Sequence, residues 1–131
     1  MIKREAKLQT RFNKWIKYRW KNGTAKFELK VTKGLSIPFS DVKPHQRAGL
    51  LSPKLIYKIS DADFISQKPF DCFVMIHAPG YVVLHWVRRG NKRFYIIDIT
   101  RFLMAEQTSQ RKSLTEDKAK QIAYIIGELE D

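Results

Sequence analysis

Glu28 and Lys30 stand two residues apart in the stretch KFELKVTKG, Lys26–Gly34. Phe27, Leu29 and Val31 alternate with Glu28, Lys30 and Thr32, the period of a half-buried β-strand, so a carboxylate and an ammonium leave the same face. That pairing suits metal-assisted hydrolysis of a phosphodiester. A carboxylate offers the hard oxygen ligands that Mg2+ (or Mn2+) prefers. Such an ion lowers the pKa of a bound water, and a neighbouring lysine stabilises the charge that builds on the phosphate in the transition state. A second carboxylate ordinarily completes a site of this kind. The spacing itself is common. Glu5-Ala-Lys7, Asp41-Val-Lys43 and Glu116-Asp-Lys118 repeat it where a helix or a surface explains it, and a solvent-facing ion pair is the plain alternative for Glu28 and Lys30 too.

The elements that would position this pair follow from periodicity and turn chemistry. Leu8, Phe12, Trp15 and Ile16 recur at helical spacing, which predicts a helix over residues 3–21 with Lys7, Arg11, Lys14 and Lys21 largely off the apolar stripe. Asn22-Gly23 ends it, and residues 26–33 form the first strand. Gly34–Asp41 is a loop. Ser40 or Asp41 caps a second helix that runs to about Leu51, with Pro44 in its first turn and Pro53 closing it. KLIYKIS (54–60) is a second strand, and residues 61–69 are a polar loop. FDCFVMI (70–76) and YVVLHWV (81–87) flank His-Ala-Pro-Gly and read as a β-hairpin. RRGNKR (88–93) is a basic turn into the strand FYIIDI (94–99). Residues 108–111 form a polar tail, and Ser113-Leu-Thr-Glu116 is a capping box that opens a last helix over about 114–129. The order predicts one α/β domain over residues 1–131, a mixed β-sheet flanked by helices. Cys72 is expected as a small core hydrophobe, and His77 and His85 as turn and strand residues.

Charge supplies the first clue to a partner. The chain carries 25 Lys+Arg against 13 Asp+Glu, a net +12. Residues 1–33 hold 11 of the bases and only two acids, Glu5 and Glu28. A field concentrated in this way attracts polyanions and releases their counterions. A solubilising surface and an anionic membrane surface are the rival explanations. A hydrophobic fraction of 44% argues against a disordered tail. No apolar run approaches the roughly 18 residues of a membrane span, and no signal-peptide core follows the basic N-terminus. One cysteine forms no intrachain disulfide, and no cysteine–histidine spacing suits zinc. A reduced, cytoplasmic setting is the expectation.

FELKVTKGLSIPFSDVKPHQ (27–46) resembles the active-site segment of the RecU-type Holliday-junction resolvases, members of the PD-(D/E)xK nuclease superfamily. The family segment places Glu-x-Lys on a strand, then Thr, a Ser-rich loop with Pro or Phe, and a helix opening with His-Gln. Glu28, Lys30, Thr32, Ser36, Pro38-Phe39 and His45-Gln46 occupy those places here. The resemblance covers about 20 residues closely and another 50 loosely. It implies a restriction-endonuclease-like core, a Mg2+-dependent endonuclease selective for branched DNA, and a homodimer.

The family also places an aspartate on the strand before Glu-x-Lys. This chain passes from helix to strand through Lys21-Asn-Gly-Thr-Ala-Lys26, with no acid in it. Asp71 follows Lys68-Pro69-Phe70 at the head of a strand, as the superfamily's aspartate does. The expectation is therefore a split site, with the strand of Asp71 lying beside the strand of Glu28. Asp61, Asp63 and Asp98 are competing second carboxylates, and a turn-capping role is the alternative for Asp71. The resemblance implies Asp71, Glu28 and the Leu29 carbonyl as metal ligands, with Glu5 as a further one, unless Glu5 only relieves the charge of a basic helix. It implies Lys30 and Gln46 as catalytic residues, and Ser36, Thr32 and His45 as phosphate or supporting contacts. Lys7, Arg11, Lys14 and Lys21, with Arg88, Arg89, Lys92 and Arg93, would grip the DNA backbone. A different nuclease of the superfamily, a DNA-binding module without catalysis and an RNA-binding protein remain as alternatives.

Overall fold

A computed structural model describes residues 3–58 and 72–129. In chain order the elements are α1 (Lys3–Arg19), β1 (Lys26–Thr32), β2 (Ser36–Pro38), a 3-10 turn (Phe39–Asp41), α2 (Pro44–Leu51), β3 (Lys54–Lys58), β4 (Cys72–Ile76), β5 (Gly80–Trp86), β6 (Arg93–Asp98), α3 (Ile99–Thr108), β7 (Ser113–Thr115), α4 (Glu116–Ile122) and β8 (Ile125–Glu128). The architecture is mixed α/β, as the sequence predicts. A four-stranded sheet runs β1-β5-β6-β8, with β1 parallel to β5 and the other pairs antiparallel. β2 with β7, and β3 with β4, form two small antiparallel sheets. No helix among the described residues is long and apolar enough to cross a membrane.

β5 is buried along its whole length, and its two faces build two cores. Val82, Leu84 and Trp86 pack with Ile37, Phe39, Phe102 and Leu114. Tyr81 and Val83 pack with Leu8, Phe12, Trp15 and Phe94. Helices cover both faces, which is why a parallel strand pair is stable here. On α1 the predicted stripe is the buried one, and Phe12 meets the Phe94 ring edge-on at 5.3 Å. The helix stops at Arg19, short of the predicted residue 21; beyond it Gly23 takes a positive φ of 77°, and the Trp20 indole N–H donates to the Gly23 carbonyl at 2.6 Å.

Three contacts fix α2 against β1, β5 and α3. The buried Lys26 ammonium donates to the Gly49 and Ser52 carbonyls at 2.9 and 2.6 Å, where the helix C-terminus favours a cation. Burial holds the Lys26 pKa below its ordinary value. At Gly80, where β5 passes α2, a Cβ would overlap the Leu50 carbonyl, so only glycine admits the close approach. Arg47 makes a two-pronged pair with Glu106 of α3 at 2.6 and 3.0 Å, and also donates to the Val42 and Phe39 carbonyls. The hydrogen bonds from Arg47 hold the Glu106 carboxyl below the usual carboxylate range.

Several expectations are corrected. The hairpin over 70–76 and 81–87 does not form: β4 pairs with β3, and β5 lies between β1 and β6. An all-buried strand belongs in the centre of the sheet, where both of its edges are taken, whereas β4 leaves Val74 and Ile76 exposed. His77, at φ 60°, donates its N–H to the Pro53 carbonyl, and the chain crosses there from one sheet to the next. Cys72 is exposed, not core. Residues 99–108 form α3, a helix the sequence reading missed; Asp98 caps it by accepting from the Thr100 N–H at 2.8 Å. The last helix stops at Ile122. Thr115, not Ser113, is its cap, and Tyr124-Ile-Ile favours the extended chain that becomes β8. The cap of α2 is Lys43, not Ser40 or Asp41, because Pro44 takes the first helical position.

Candidate active site

Residues 28 and 30 of β1 are in register with Val82 and Leu84 of β5, so Glu28 and Lys30 share the face that carries the larger core. β1 is the edge strand of its sheet, and its polar face opens there into a pocket of about 580 Å³. Glu5 and Gln9 of α1, Phe27–Lys30 of β1, and Lys43 and Gln46 at the start of α2 line it. Glu5 and Gln9 are one helical turn apart on the flank of α1 that faces β1. Lys30 Nζ lies 3.8 Å from Glu5 Oε1 and 3.5 Å from Glu28 Oε1. The Lys30 side chain is only 13% exposed, and those of Glu5 and Glu28 are 18% and 27% exposed. An enclosed cation bracketed by two carboxylates is not a solvated surface pair.

The backbone of β1 adds a third oxygen. Lys26 N–H donates to the Pro79 carbonyl at 2.8 Å and Val87 N–H to the Thr32 carbonyl at 2.7 Å. In a parallel ladder alternate residues turn both backbone groups to the neighbour. With this register Lys26, Glu28, Lys30 and Thr32 do so, and Leu29 turns its carbonyl to the open edge beside the pocket. The Gln46 Oε1 accepts from the Lys43 N–H at 2.8 Å, which fixes the amide across from β1.

No family model, curated protein or solved structure matches the chain. The site is therefore read from its own chemistry. Two carboxylates and a carbonyl are an all-oxygen donor set of the kind Mg2+ takes while keeping waters. Lys30 already holds a positive charge between the two acids, as a bound cation would. No group of three or more His, Cys, Asp or Glu suited to a metal gathers among the described residues.

Other predicted residues separate from this pocket. Asp71, Asp61 and Asp63 lie outside the described residues. The side-by-side strands expected to bring Asp71 to Glu28 are not found, since β1 pairs with β5 and β4 with β3. Asp98 is committed to capping α3. Ser36 Oγ donates to Ser113 Oγ at 2.9 Å across the small β2–β7 sheet, and Thr32 Oγ1 accepts from the Gly34 N–H at 3.0 Å. His45 is exposed and does not line the pocket.

The predicted basic residues fall on the opposite flank of α1. Arg4, Lys7 and Arg11 converge with His85, Val87 and Leu129 around a small cleft, next to the basic turn that runs from Arg88 to Arg93. His85 is buried, its pKa lowered chiefly by desolvation, and its Nδ1–H donates to the Arg93 carbonyl at 2.8 Å. Arg88 is tied to Glu116 at 2.6 Å, which also accepts from the Tyr95 hydroxyl; burial pushes that phenol up to about 12. Lys14 and Lys21 are exposed. Sequence reasoning missed Gln9, Lys43, Lys26 and Arg47. The first two were legible: Gln9 is four residues from Glu5, and Pro44 marks Lys43 as the cap.

Proposed function

We propose that the protein is a Mg2+-dependent (or Mn2+-dependent) DNA endonuclease, selective for branched DNA such as Holliday junctions and acting as a homodimer. One observation carries the reading: a helix carboxylate, Glu5, and a strand carboxylate, Glu28, both hold the Lys30 ammonium in a concave site at a sheet edge. Glu28, Glu5 and the Leu29 carbonyl would hold the metal, with Asp71 as a further acid. Bound there, the ion would supply Lewis acidity and a water of lowered pKa. Lys30 orients the attacking water and neutralises charge on the phosphate as it builds. Gln46, its carbonyl oxygen fixed on the Lys43 N–H, keeps its amide NH2 for water or phosphate. The basic flank of α1 and the turn at Arg89, Lys92 and Arg93 hold backbone phosphates, which position a duplex without reading its sequence.

The test is a panel of labelled four-way junction, flap, duplex and single-stranded substrates, incubated with Mg2+ or with EDTA. Cleavage of the junction in Mg2+ alone is the expected result. Preference for flap or linear DNA would indicate another nuclease, and binding without cleavage a DNA-binding module. Salt titration checks the surface independently. Log affinity should fall with log salt by about 0.9 per phosphate contact, and Lys7→Ala with Lys14→Ala should flatten that slope for all sequences alike. An unchanged slope places the DNA elsewhere.

A further inference from the structure

The pocket holds two cations, and they are not equivalent. Lys30 is bracketed by Glu5 and Glu28. Lys43, on the facing wall, forms no ion pair among the described residues. Its backbone is nonetheless fixed at both groups: the N–H donates to Gln46 Oε1 at 2.8 Å, and the carbonyl accepts from the Arg47 N–H at 2.9 Å. Arg47 is itself anchored to α3 through Glu106. An uncommitted ammonium thus rises from a rigid base at the rim of a site whose other charges are already engaged.

We infer that Lys43 is a substrate contact, its ammonium binding a non-bridging oxygen of a phosphodiester that flanks the scissile bond. The inference rests on the nuclease reading and deepens it. A diester oxygen is a hydrogen-bond acceptor with delocalised negative charge, and lysine meets it as a point charge on a flexible stem. Nothing in the described pocket competes for Lys43, whereas Lys30 cannot reach outward without leaving two acids.

The experiment uses the full chain, Lys43→Met, which keeps the stem and the backbone cap, and Lys43→Arg, which keeps the charge. Neutral methylphosphonates are placed one at a time at each phosphate around the junction branch point. Binding is measured in EDTA and cleavage in Mg2+. In the wild-type protein one flanking position should lower both affinity and kcat/KM by about 10- to 100-fold, the size of a lost hydrogen bond to a charged group. Lys43→Met should start with that loss and show no further effect at that position, while Lys43→Arg recovers most of it. Unchanged thermal melting of both variants would exclude a folding cause. Wild-type behaviour of Lys43→Met, or the same methylphosphonate pattern in both proteins, would overturn the contact. The two readings fail differently. Cleavage by both proteins with identical patterns removes Lys43 alone. A phosphate effect on binding that vanishes in Lys43→Met, without any Mg2+-dependent cleavage, keeps the contact and removes the nuclease.

Discussion

Lys30→Ala should lower the single-turnover rate of Mg2+-dependent junction cleavage by about 100- to 1,000-fold, the scale on which loss of one transition-state donor acts. Junction affinity in EDTA and the folded state should change little. Lys30 sits on the edge strand β1 and belongs to neither core, so its removal leaves no apolar cavity. The charge is what matters, because its nitrogen lies beside both carboxylates. Two carboxylate oxygens 3.8 and 3.5 Å from one nitrogen cannot be further apart than the sum of those distances. Without the ammonium between them the two carboxylates repel each other more strongly. A bound divalent ion relieves that repulsion, so Lys30→Ala should keep or gain Mg2+ affinity while it loses turnover. Lys30→Arg, which restores the charge with a different shape, should recover the geometry of the acids but only part of the rate. Equal turnover in Lys30→Ala and the wild type would remove Lys30 from the mechanism and with it the main support for a nuclease.

How far the sequence could be read depended on where each residue finds its partner. β1 was legible because strict alternation names both faces of a strand without knowledge of its neighbours. α1 was legible because its buried stripe repeats over several turns. Pairing was not legible. YVVLHWV is apolar on both faces except at His85, and only a strand of that kind can take the centre of the sheet. That same composition fits a hairpin arm, and nothing local decides between them. The C-terminal segment failed for a similar reason: Thr115 and Ser113 both suit a cap, and β8 exists only because β6 offers an edge for Ile125–Glu128. The candidate site was half visible. Glu28 and Lys30 lie within one strand and needed no tertiary information. Glu5 and Gln46 were reached only through the family resemblance, and Gln9 and Lys43 not at all; the four come from α1 and the start of α2, and their convergence depends on Lys26, Gly80 and Arg47, whose roles are entirely long-range.

Glu5→Gln and Asp71→Asn are each expected to remove Mg2+-dependent cleavage while junction binding in EDTA persists or improves. A carboxamide keeps the shape of the side chain and most of its hydrogen bonding but not the anionic oxygen that a hard divalent ion demands. Loss of a negative charge beside a phosphate chain favours binding, so affinity and turnover should move in opposite directions. For Glu5 the expectation rests on geometry, since its carboxylate faces Lys30 at 3.8 Å in the same pocket as Glu28. For Asp71 it rests on the resemblance of Lys68-Pro-Phe-Asp71 to the superfamily's aspartate strand, and no longer on a strand paired with β1. If both acids serve one metal, the double variant should be no slower than the worse single variant, because the first loss already disables the shared ion. Independent, multiplying losses would mean two separate roles. Wild-type cleavage by Asp71→Asn would reduce the metal site to Glu5, Glu28 and the Leu29 carbonyl. Wild-type cleavage by Glu5→Gln would leave Glu5 as no more than an ion-pair partner that holds Lys30 in place.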